Sequence, residues 1–126
     1  MPTKAEALHR FFSSFSIPAY EEHSVPTGKK FPGFPFLTYE RRTDSFGEFV
    51  ALAVNVYYRD TSWKDCNAKT EEIARAISRG GVCLPCIGGA IWLKRGNPFS
   101  QSVNDPNDDL IRRNYITLTA EFLTAD

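Results

Sequence analysis

The alternation near the end of the chain limits the fold more than any other feature. Ile116, Leu118, Ala120 and Phe122 alternate with Tyr115, Thr117, Thr119 and Glu121. This is the period-two pattern of an antiparallel strand with one face in a core. A second run, 49–58, sets Val50, Leu52, Val54, Val56 and Tyr58 on one face against Phe49, Ala51, Ala53, Asn55 and Tyr57 on the other. Large apolar side chains on one side of a sheet call for helices there, while the mixed side meets something less apolar. Residues 35–41, followed by turn chemistry at 43–47, read as the partner arm of a hairpin with 49–58. Gly88-Gly89 followed by AIWLKR reads as one more strand.

Two segments supply the helices. Thr3 and Glu6 have capping-box spacing, and Ala5, Leu8, Phe12 and Phe15 recur on one face before Ser13, Ser14, Ser16 and Pro18 end the helix. His9 lies beside this stripe and reads as a partly covered polar side chain, not a ligand. Further on, Ser62 and Asp65 mark a second start, and Trp63, Cys66, Ile73 and Ile77 follow the helical period. Arg79 falls in the expected last turn and Gly80-Gly81 is the expected stop. With 126 residues, 42% of them apolar, including ten Phe, five Tyr and two Trp, there is material for one core. The expectation is a single α+β domain over 1–126, with a mostly antiparallel or mixed sheet and both helices on one face.

Two irregular stretches carry the exposed chemistry. Residues 19–35 hold three prolines and two glycines, which exclude a long regular element. The stretch is an extended arm or a cover along a sheet edge. Its aromatics Tyr20, Phe31 and Phe34 need cover from their own core or from a neighbouring copy. The second stretch, 97–109, reads as an exposed polar loop containing the turn Asp105-Pro106-Asn107-Asp108. Arg112 and Arg113 follow and are expected to pair locally with Asp108 and Asp109; across a subunit boundary the same charges would fix register.

Reactive chemistry is hard to place. Lys plus Arg and Asp plus Glu both number 15, so the chain lacks the overall attraction of a general nucleic-acid binder, and its near-zero charge permits self-association. The first residues are too polar for a secretory signal, and no apolar run reaches membrane-spanning length, so synthesis in a cytoplasm is expected. Cys83-Leu84-Pro85-Cys86 invites a redox or zinc reading. A redox dithiol, however, needs a strand before the motif and a helix after it, and here that order is reversed. Zinc would need two further ligands, which Cys66 or a histidine could supply only through the tertiary fold. Gly80-Gly81 and Gly88-Gly89 lack the context of a phosphate loop. The pairs Glu21-Glu22 and Asp108-Asp109 read as solvated loop carboxylates. We therefore expect no catalytic, cofactor-binding or metal-binding residue, and no cofactor.

The order helix, Pro-rich arm, hairpin, capped helix, strand, polar loop and strand resembles the tail-terminator (tail-completion) proteins of long-tailed bacteriophages and their prophages. The resemblance spans nearly the whole chain. It rests on IPAYEEHSVP, VALAVNVYYRDTSW with the helix NAKTEEIARAI, and GGAIWLKRGNPFSQSVNDPNDDLIRRNYITLTAEFL. It implies a non-enzymatic virion protein of the tail and neck, assembled in the bacterial host cytoplasm, that caps the finished tail tube as a ring, expected to be hexameric. Its implied partners are its own copies, the tail-tube protein and a head-completion protein, with DNA passing the channel without sequence-specific binding and no membrane contact. The same resemblance leaves open another neck component or a tail-tube subunit; a stand-alone binding domain would instead show an enclosed apolar pocket. A closed ring needs two different surfaces of one subunit to meet. The arm supplies Glu21, Glu22, Lys29, Lys30, Phe31 and Phe34 as interface candidates. The polar loop and its exit supply Asn97, Phe99, Gln101, Asp105, Asp108, Asp109, Arg112 and Arg113.

Overall fold

The structure, a computed structural model, describes residues 1–43 and 47–125, without the side chain of Glu48. The turn expected at 43–47 therefore falls largely outside the described residues. Helix α1 (Lys4–Phe12) leads through a 3₁₀ turn (Ser13–Phe15) to strand β1 (Ala19–Glu21), a second 3₁₀ turn (Gly28–Lys30) and strand β2 (Phe36–Tyr39). Strand β3 (Glu48–Arg59), helix α2 (Lys64–Ile77), and strands β4 (Val82–Cys86), β5 (Gly89–Asn104) and β6 (Ile111–Thr124) follow. The strands form one sheet in the order β1-β2-β3-β6-β5-β4, parallel between β1 and β2 and antiparallel elsewhere. The chain is an α+β domain with a mixed sheet, as its alternation predicts.

Both helices lie on the same face, called here the helical face. Leu8 and Phe12 of α1 and Cys66, Ile73 and Ile77 of α2 share one core with Leu52, Val54, Val56, Ile91, Leu93, Ile116, Leu118 and Phe122, all fully or almost fully buried. Burying one such large aliphatic or aromatic side chain contributes about 1.5–3 kcal/mol. A polar tether ties α2 to the sheet from within. Asn114 donates to Asn67 Oδ1 (3.0 Å) and Thr70 Oγ1 (2.8 Å), and its own Oδ1 accepts from Ser102 Oγ at 3.2 Å.

The helix ends follow local chemistry. At α1 the capping box forms as expected, with Glu6 N–H donating to Thr3 Oγ1 and Thr3 N–H donating to Glu6 Oε1, both at 3.1 Å. The start of α2 differs. Ser62 Oγ accepts from Lys64 N–H at 3.0 Å, Asp60 Oδ1 accepts from Thr61 N–H at 2.7 Å, and the N-cap residue, Trp63, makes no side-chain cap. The stop also lies earlier than Gly80-Gly81. Ser78 takes φ 62° and donates its N–H to the Ala74 carbonyl at 3.0 Å, which leaves Arg79 outside the helix. At the β4–β5 turn only glycine fits position 89, because a Cβ there would collide with the Leu123 carbonyl oxygen.

Candidate functional site

The face of the sheet opposite the helices, the outer face, collects part of the predicted interface. Strand β1 pairs with β2 over three residues, so the arm begins as a short edge strand and then folds over the outer face. Phe36 and Tyr57, cross-strand neighbours on β2 and β3, stack at 4.8 Å between ring centroids. Phe31 and Phe34 pack on Phe36 at 5.6 and 5.5 Å, and Tyr20 meets it edge-on at 6.3 Å. The arm aromatics thus find much of their cover on their own sheet, which leaves Phe36 5% exposed and Phe31 still 41% exposed. Aromatic pairs of this kind add about 0.5–1.5 kcal/mol each beyond area burial.

Beside this cluster lies a hollow of about 470 Å³ bordered by Glu22, Val25, Phe31, Phe34, Tyr57 and Arg113. Arg113 Nε donates to Asn55 Oδ1 at 2.7 Å, and its guanidinium carbon sits 5.7 Å from the centre of the Tyr57 ring. Glu22, Phe31, Phe34 and Arg113 are therefore brought together. Asn55 and Tyr57, which complete the site, were legible only as the mixed face of the 49–58 run.

Other predicted residues stand elsewhere. The polar loop expected at 97–109 is mostly strand. β5 runs on to Asn104, with Ser100 opposite Ile116, Gln101 opposite Tyr115 and Asn104 opposite Arg112. Only 105–110 connect β5 to β6. The break in periodicity is a bulge in which 96–99 oppose Thr117 alone. Within it Phe99 turns back to pack on the core, while Asn97 is exposed. Gln101 is exposed on the outer face, and Lys29 and Lys30 are exposed in the arm's 3₁₀ turn.

The expected pairing of Arg112 and Arg113 with Asp108 and Asp109 does not form. Consecutive strand residues point to opposite faces, so only Arg113 reaches the outer face. On the helical side, Arg112 donates to the carbonyls of Asp109 (2.9 Å) and Thr61 (3.2 Å), with its guanidinium carbon 5.4 Å from the Trp63 ring centre. Asp108 pairs instead with Arg59 at 2.9 Å. The Leu110 N–H on its Oδ1 and the Arg59 guanidinium beside it hold its carboxyl below the usual carboxylate range. Asp105 Oδ1 accepts from Asn107 N–H at 2.8 Å, while Asp109 is exposed. These carboxylates shape the 105–110 turn.

The side chains with reactive potential lie apart from one another in the fold. Cys83 is exposed and Cys86 buried on opposite sides of β4, so they do not form a vicinal dithiol. Cys66 Sγ lies 3.4 Å from the Arg112 carbonyl, and burial pushes its thiol up to about 11, away from nucleophilic use. Ligand atoms of Glu21, Glu22 and His23 lie within 4.8 Å of one another. Glu21 Oε2, however, already accepts from His23 N–H and Ser24 Oγ at 3.1 Å each, the pattern of a capped surface turn. His9 is exposed, with Nδ1 2.9 Å from the Tyr39 hydroxyl.

No protein-family model matches this chain, and no curated protein matches it. Among the described residues, no helix is long and apolar enough to cross a membrane.

Proposed function

We propose that this chain is a structural virion protein that caps a phage tail tube as a ring and forms part of the head–tail joining interface. The observation that carries the reading is the one-sided cover of the sheet. Both helices pack on one face, and the outer face of β3, β6 and β5 is left to the arm and to solvent. Phe49, on that face, is 63% exposed. A sheet covered on one side leaves a broad surface on the other, and rigid scaffolds of this kind commonly act through loops and faces. The resemblance of the chain to tail-terminator proteins supplies the partners: its own copies, the tail-tube protein and a head-completion protein. Placement of Cys83 and Cys86 on opposite sides of β4 counts against the dithiol alternative.

Light scattering of the purified chain across concentration tests self-association, and virions lacking the chain test the role. The expected result is tails of uncontrolled length or tails not joined to filled capsids. Normal virions without the chain would refute the reading.

A further inference from the structure

We infer that successive copies of the chain join by antiparallel strand pairing, with the edge of β5 over 100–104 in one copy laid against β1 (Ala19–Glu21) of the next. The inference rests on the ring reading and names the two different surfaces that such a ring requires.

Both edges turn backbone groups outward. β4 pairs with β5 only over 89–93, so among the described residues 100–104 have β6 on one side and no strand on the other. Ala53 directs its carbonyl and its N–H to Glu40, on the β2 side of β3, at 2.9 and 2.6 Å. Alternation along the antiparallel ladders then points Tyr115 and Arg113 at their partners Gln101 and Val103, and turns Ser100, Ser102 and Asn104 away from the sheet. That segment, Ser-Gln-Ser-Val-Asn, contains no charge and no proline, and four of its five residues are exposed. At β1, Leu37 N–H donates to the Pro18 carbonyl and Glu22 N–H to the Tyr39 carbonyl, both at 2.9 Å. Tyr20 between them therefore faces β2, and Ala19 and Glu21 face away. Among the described residues, the one backbone bond to these outward groups is Ser24 N–H to the Glu21 carbonyl at 2.8 Å.

The chain on either side of β1 is held to the faces of the sheet. Phe15, before it, is buried in the core under the helices, and its carbonyl accepts from Lys69 Nζ of α2 at 2.6 Å. The arm after it crosses the outer face, with Phe31 and Phe34 on Phe36 and Val25 bordering the hollow over Asn55, Tyr57 and Arg113. The undescribed residues are anchored far from both edges. Gly47 N–H donates to the Phe122 carbonyl and Ala125 N–H to the Gly88 carbonyl, at the opposite end of β6 from Asn114.

The two edges match in level, direction and phase. Tyr20, Thr38, Asn55, Tyr115 and Gln101 are successive cross-strand partners, so both edges lie on one row of the sheet. β1 is parallel to β2 and therefore antiparallel to β5. A copy set beside another with no shift along the strands brings Tyr20 opposite Gln101, Ala19 opposite Ser102 and Glu21 opposite Ser100. The last two pairs are those whose backbone groups point outward. A repeat without a shift closes a ring, whereas a shift at each step would wind an open filament. Charge agrees with the match. Glu21 borders a hollow shared with α1, and Arg95 donates to the Ala74 carbonyl of α2, so both side chains are on the helical face. Glu21 is level with Ile116 and Arg95 with Leu118, so the contact sets opposite charges near each other across the boundary.

Thiols at Tyr20 and Gln101, both on the outer face, test the pairing in a Cys83→Ser background. With a short bis-maleimide, the chain carrying Tyr20→Cys and Gln101→Cys should give a ladder of covalent multimers, and either single variant should stay monomeric. Ser100→Pro removes an N–H aimed away from β6, so a variant with unchanged urea denaturation should lose assembly at least tenfold. Dimers from Gln101→Cys alone would overturn the pairing in favour of β5 meeting β5 about a twofold axis. A chain that gives no ladder, or Ser100→Pro assembling as the native chain does, would also overturn it. Rings that form without the 20–101 link would overturn the edge pairing while leaving the ring reading intact. A ladder from a chain whose loss leaves virions normal would sink the ring reading alone.

Discussion

The two faces of one strand make the clearest contrast in this molecule. On β6, Ile116, Leu118, Ala120 and Phe122 are fully buried under both helices, while Tyr115, Thr117, Thr119 and Glu121 between them keep partial exposure. The same backbone thus serves a packed core on one side and a half-exposed surface on the other. Stability is concentrated on the helical face. The outer face is stabilised chiefly at one end, where the arm aromatics meet Phe36 and Tyr57.

Substitutions can break that contrast at its strongest point first. Leu118→Ala should destabilise the fold by about 2–5 kcal/mol, because it leaves a cavity in the core shared by the sheet and the helices, whereas neighbouring Thr117→Ala should change stability by less than about 0.5 kcal/mol. Urea denaturation of the pair measures the difference, and equal losses would mean the faces are not distinct. Phe36→Ala should cost about 2–4 kcal/mol, since its ring holds the arm in place but borders an open hollow. Limited proteolysis near Lys29 and Lys30 should then quicken, and an unchanged cleavage rate would show that the arm is held by other contacts.

Cys66 gives a smaller effect with a defined pH window. Its folded pKa, about 11, lies above the ordinary value near 9, so the neutral thiol is favoured in the fold. The associated stability is complete below about pH 9 and is lost as pH rises towards 11, by about 2–3 kcal/mol in all. Denaturation midpoints between pH 8 and 11 should fall for the native chain and fall less for Cys66→Ala. Parallel curves would place the thiol nearer solvent. The smallest effect belongs to Asp108→Asn. The amide keeps the oxygen that accepts from Leu110 N–H and gives up only an exposed ion pair, so the melting temperature should not move measurably.

Much of the fold was legible from period alone. Alternation marks β3 and β6 and their buried faces, and the Thr3/Glu6 box marks the start of α1. The distal half of β5 was not legible. Ser100, Gln101, Ser102 and Asn104 have weak strand preference, and the bulge at 96–99 erases the alternation. The ladder with β6 overrides both local signals. For α2 the two glycines mask the true stop, because Ser78 itself adopts the positive φ. At the candidate site, the aromatics of the arm were visible as groups needing cover. Which surface covers them depends on β2–β3 register, and no local pattern encodes that. The separation of Arg112 from Arg113 follows directly from strand alternation, which outweighs their closeness to Asp108 and Asp109 in sequence.

Electron microscopy of tail tubes incubated with the purified chain tests the central claim most directly. If the chain works by docking its own copies into a cap, closed rings should crown the tube tips. Tubes that remain bare at every concentration of the folded chain would contradict the account.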